Sequence, residues 1–141
     1  MQCGTLTGTA TAAQYSDLAE RYASDAVYEA GTVVSFGGAN EVTQSTEMYD
    51  TRVAGVVSTN PAHLMNAEAG TNETHPAIAL SGRVPVKVMG TVRKGDLMVT
   101  SAQTGVAMAA DERVTGTIIG KAIEAHTGEG IGVIEVLIAM M

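Results

Sequence analysis

Two stretches of this chain are written to the same plan. Gly31 opens GTVVSF and Gly95 opens GDLMVTS, each after a short lead (Glu29-Ala30 and Arg93-Lys94). Twenty-four residues after Gly31 stands Gly55, in RVAGVVST, and twenty-five after Gly95 stands Gly120, in TIIGKAIEA. Eleven residues past each opening glycine is an isolated apolar position, Val42 and Val106. Each stretch reads as a strand, a glycine-bearing turn (GGAN; QTG), a returning strand, and a third strand entered through a loop holding Asp50 or Asp111. Short β-branched runs separated by turn glycines pair as hairpins and are too brief for helices. The expected fold is therefore mainly β: a compact small β-barrel or sandwich built from two similar hairpin units. Periodicity does not choose between the two closures.

The flanks agree with this. At 141 residues the chain is long enough for one domain with a real core. That core must come from Val, Ile, Leu, Ala and eight Met, because Trp is absent, Phe36 stands alone and only four Tyr are present. Residues 1–14 (MQCGTLTGTATAAQ) are small and uncharged and read as a linker or leader, leaving 15–141 as a single β-rich structural domain. One short N-terminal helix is expected from Asp17 to Ser24, with Leu18, Arg21 and Tyr22 at helical spacing. GTNETHP reads as exposed loop. GRVPVKVMG alternates Val84, Val86 and Val88 with Arg83, Pro85 and Lys87, a half-buried strand whose proline suits an edge. The closing IGVIEVLIAMM is an apolar strand, expected to be buried against another subunit.

Composition narrows function by exclusion. Fifteen acids against eight bases give a net charge of −7 and leave no basic footprint for nucleic acid or an anionic membrane. Cys3 is the one cysteine, so no internal disulfide or thiolate metal site is expected. His63, His75 and His126 are spread without ligand spacing, so neither a metal nor a cofactor is expected. The start lacks the charged and apolar regions of a signal peptide, and no run is long enough to span a bilayer as a helix.

One stretch carries possible chemistry, Ser16-Asp17-Leu18-Ala19-Glu20. On the expected helix, Asp17 is a good N-cap and Glu20 sits where it reaches back to the cap's amide. The same i, i+3 spacing would also let the two carboxylates converge on the peptide bond before Asp17. One would activate water or attack, and the other, held protonated, would donate to the leaving nitrogen.

The ordered series SDLAERY, YEAGTVVSF, DTRVAGVVSTNPAHLMN, ALSGRVPVKVMGTVRKGDLMVTS, IGKAIEA and GVIEVLI resembles a domain near the ends of tail-fibre-like virion structural proteins of marine phages, found also in bacterial surface proteins. The resemblance implies a structural, oligomerising role in a virion, with a homotrimer favoured and an upstream fibre or appendage segment as partner. SDLAE is more distantly similar to the Ser-Asp-x-Ala-Glu motif of self-cleaving intramolecular chaperone domains of phage tail appendages. That likeness implies Asp17 and Glu20 as catalytic carboxylates and cleavage between Ser16 and Asp17, although Arg21-Tyr22-Ala23 departs from the aromatic-rich run that usually follows. A third reading is a receptor- or glycan-binding tip using Tyr15, Tyr22, Tyr28 and Tyr49.

Overall fold

The computed structural model describes residues 16–141; the leader (1–14, with Cys3) and Tyr15 lie outside the described residues. Among the described residues, twelve strands follow one another: β1 (Asp17–Arg21), β2 (Val33–Phe36), β3 (Val42–Gln44), β4 (Val53–Ser58), β5 (His63–Met65), β6 (Ala77–Val88), β7 (Thr91–Val92), β8 (Leu97–Thr100), β9 (Ala107–Ala109), β10 (Gly120–Ala122), β11 (His126–Thr127) and β12 (Gly132–Ala139). A 3-10 turn at Ala67–Ala69 is the one helical element among the described residues.

Five strands close on themselves. β6 pairs with β9 and β12, β9 with β8, β8 with β10, and β10 with β12, which completes a ring. The closure is thus a barrel. Closure covers the edges of short strands; here β12 runs antiparallel along residues 81–88 of β6, and β9 meets β6 in parallel at Val88. Its interior is filled by Val84, Val86, Val88, Met98, Ile119, Ile134, Val136 and Ile138, all buried. These are the inward members of alternating strands, as the pattern around Val84–Val88 predicts.

The barrel is extended on one side. The first half of β6 also pairs with β4, β4 with β2, and β2 with β3. This wing has its own smaller core of Val34, Val42, Ala54, Val57 and Ile78, with Tyr22 and Tyr28 packed against it. β6 changes partners midway, and the register against β1 slips there, between the pairs Leu18–Ser81 and Ala19–Ala79. Residues 83–87 of β6 have a paired strand, β12, on one side only. Pro85, which has no N–H to donate, is accommodated there.

The expected helix over 17–24 is absent: Asp17–Arg21 is a strand, paired parallel with β5 and antiparallel with β6. Burial alternates from Asp17 (in) to Leu18 (out) to Ala19 (in), the period of a strand. Five residues cannot offset helix nucleation by themselves, whereas β6 offers a ready ladder. The capping relation between Asp17 and Glu20 falls with the helix. The apolar C-terminal stretch forms β12 and its end. Ile134, Val136 and Ile138 are buried within their own chain, while Leu137 and Met141 remain exposed.

Candidate functional site

β1 carries Asp17 into the protein. Only 2% of the residue is exposed. Its register partner is Gly82, where any Cβ would run into the Ser16 carbonyl oxygen and the Asp17 backbone, so β1 lies unusually tight against β6. Neither carboxyl oxygen has a hydrogen-bond partner of good geometry among the described residues. Burial pushes the Asp17 carboxyl above its ordinary value, with the Ser58 side chain and Asp17's own backbone opposing the shift. Burial thus favours the protonated form of Asp17 more than water would.

Glu20 sits elsewhere. Strand alternation sets it on the face opposite Asp17, where its Oε1 accepts a hydrogen bond from the Tyr22 hydroxyl at 3.1 Å. The shared helix face that would bring the two carboxylates together is not formed. Ser16 lies at the strand's start, its hydroxyl 3.5 Å from the Arg83 carbonyl. Arg21 turns toward the 67–75 loop, donating to the Ala67 and His75 carbonyls and to Asn72 Oδ1. The stretch thus supplies one buried acid beside the Ser16–Asp17 bond and a second carboxylate facing away from it.

A second polar cluster lies in the wing and was marked in the sequence only by Asp50 as a loop residue. Asp50 is buried and accepts from the Ser35 hydroxyl at 2.9 Å, the Arg52 backbone N–H at 2.8 Å and Arg52 Nε at 3.1 Å. Burial alone would raise its pKa, but the Arg52 backbone and guanidinium and the Ser35 hydroxyl outweigh it and hold the carboxyl below the ordinary range. Its backbone N–H donates to Thr100 Oγ1 at 2.8 Å, tying the wing to the barrel. The signal available in the sequence was DTR: an aspartate two residues before an arginine folds back on that residue's N–H. Phe36, Thr43, Gln44, Asp50 and Arg52 line a shallow cavity of about 230 Å³ beside the cluster.

Three of the tyrosines considered for glycan binding, Tyr22, Tyr28 and Tyr49, make contacts within the chain. Tyr22 stacks edge-on against Phe36 with centroids 5.4 Å apart, and Tyr28 donates to Asp25 at 2.5 Å. The Tyr49 hydroxyl accepts from the backbone N–H groups of Asp111 and Glu112. Tyr15 lies outside the described residues. Among the described residues, no group of His, Cys, Asp and Glu is placed to hold a metal ion, and no helix is long and apolar enough to cross a membrane.

No protein-family profile matches the chain. No curated protein matches it either. Solved structures do. The C-terminal fragment of gene product 12 of bacteriophage phi29 superimposes with a TM-score of 0.61 at 18% identity, over 87% of this chain and 100% of that one. The N base of the head fibre protein gp8.5 of bacteriophage phi29 gives a TM-score of 0.52 at 11% identity, over 86% of this chain and 93% of that one. At these identities the likeness is one of fold, and it takes in nearly the whole of all three chains: this chain has the fold of those two phage domains.

Proposed function

We propose that this chain is a structural module of a phage virion fibre, holding copies of itself together as a homotrimer at the end of a fibre or appendage. One observation supports it above the others: the barrel with its wing is shared, nearly end to end, with a head fibre base and a second phage domain. Fold alone does not carry function, so the reading also leans on the quoted sequence resemblance to fibre-like virion proteins. The test is the mass of the intact chain in solution, by light scattering on a sizing column. The mass of three chains is expected at tens of micromolar. The mass of one chain would overturn the reading.

A second reading, self-cleavage between Ser16 and Asp17, has the buried Asp17 carboxyl in its favour. That group would serve as the acid donating to the leaving nitrogen. Glu20 would have to act as base from the opposite face of β1, which calls for β1 to unseat or for a neighbouring copy's carboxylate. A new N-terminus at Asp17, lost in Glu20→Ala, is the signature it requires.

A further inference from the structure

β1 is held in place by its backbone and by its far end, and is opposed by one of its own side chains. Its ladder runs along β6 from Asp17 to Arg21 and along β5 from Leu18 to Glu20. The Asp17 carbonyl accepts from the Ala62 N–H at 2.9 Å, and Ala19 is fully buried. Arg21 fastens the other end by its three hydrogen bonds to the 67–75 loop. Against these stands the Asp17 carboxyl, out of water and without a hydrogen-bond partner for either oxygen.

The elements packed around β1 supply no countercharge. On β4, Ser58 offers a hydroxyl only. On β6, Arg83 follows Gly82, the register partner of Asp17, but its guanidinium is engaged by Glu135 at 2.9 Å. On β5, His63 pairs with Leu18 and so shares the outward face of β1, opposite Asp17. Glu68, exposed on the 67–69 turn, is itself an acid and gives no relief. Ionising Asp17 in the seated strand therefore forgoes hydration and finds no partner, whereas releasing the strand restores the hydration.

We propose that β1 is a pH-sensitive latch, firm against β5 and β6 while Asp17 is protonated and opening more often once Asp17 is ionised. Opening uncovers the 77–82 edge of β6 and the Ser16–Asp17 bond. The sign follows from burial. It raises the carboxyl above 3.8, so the seated strand is favoured below that value and loses ground as pH rises through the folded one. β12 is the internal control, because it buries Ile134, Val136 and Ile138 and no acid. The latch goes beyond the oligomeric module proposed above and does not depend on it.

Amide hydrogen exchange on the intact chain, corrected for the intrinsic effect of pH on exchange, tests it. From about pH 4 to about pH 7, opening of β1 relative to β12 should rise at least threefold in the wild type. In Asp17→Asn, which keeps the shape but cannot ionise, the ratio should stay level, with circular dichroism verifying the fold. A wild-type ratio that is level with pH overturns the latch, and that comparison needs no variant to fold. A rise of equal size in Asp17→Asn overturns it too, since another group would then be responsible.

Discussion

The two halves of this protein begin alike and end differently. In the first, Gly31 donates to the Val57 carbonyl at 2.9 Å, and Val57 returns the bond to Thr32 at 2.9 Å. In the second, Gly95 donates to Ala122 at 2.8 Å, and Ala122 returns it to Asp96 at 2.9 Å. The middle strand is flanked in the same way in each, β2 by β3 and β4, β8 by β9 and β10. The third strand then hands on to a fourth, β4 to β6 and β10 to β12. The divergence comes at the ends. β9 reaches β6 and β12 runs along β6 for eight residues, so the second half closes. Beyond β2, β3 meets the 23–25 segment through a bridge from Ser24 to Val42 and no further strand, so the first half stays open as a wing. The lesson is that one long strand decides. β6 gives its first half to the wing and its second half to the barrel, and only the second half has a long enough partner to complete a ring.

Glycines provide the hardest test of that correspondence. Gly55 in β4 and Gly120 in β10 hold matching places, and a Cβ at either would strike the backbone carbonyl of the next strand, Ala79 in one case and Leu137 in the other. Gly55 has in addition a φ of 153°. Gly120→Ala and Gly55→Ala should each cost about 2–4 kcal/mol in denaturant unfolding, because neither carbonyl can retreat without breaking its ladder. A near-neutral result at one and a large loss at the other would show that the two halves are packed on different principles.

Asp50 marks where the halves part chemically. Its carbonyl accepts from Val53 at 3.3 Å, as that of Val114 does from Thr117 at 3.2 Å, so an apolar residue fills the equivalent place in the barrel half. Asp50→Ala should destabilise by about 2 kcal/mol, since a buried, charge-assisted acceptor is lost and Ser35 is left unpartnered. Because its folded pKa is lowered, the aspartate's contribution is present above the unfolded value of 3.8 and lost as pH falls through the folded one. Wild-type and variant stabilities should therefore converge in strong acid, which thermal melts across pH would detect.

Much of the fold could be read from the residues, and the places where reading failed have physical reasons. The glycine spacing and the valine alternation at 84–88 announced hairpins and a half-buried strand, because a period of two is stated by neighbouring residues alone. Closure could not be read, since it depends on β6 meeting β9 and β12 across long separations. β1 was missed because DLAER satisfies helix-start chemistry locally, while its strand state is imposed by β5 and β6, both far along the chain. At the candidate site, Asp17 and Glu20 are where the sequence numbers them. Their separation onto two faces follows from a tertiary choice that no local spacing records. The Asp50 cluster depends on Ser35, fifteen residues away, and on Thr100, fifty residues away.

The smallest effect is expected at the other buried aspartate. Asp17 has a raised pKa, so the sign is the reverse of Asp50: its contribution is most favourable below 3.8 and is lost as pH rises through the folded value. Asp17→Asn should therefore stabilise the protein at neutral pH, by roughly 1 kcal/mol, and have little effect in acid. Stabilities measured at both pH values check this. A loss at neutral pH would mean that the carboxylate is satisfied when charged.

The most direct test of whether this domain is there to be built with is the intact mass of freshly made protein, followed from mildly acidic to neutral pH. A single full-length mass throughout is expected of a structural module whose first strand stays seated. A fragment beginning at Asp17, absent from Glu20→Ala, would contradict it and make Ser16-Asp17 a reactive bond.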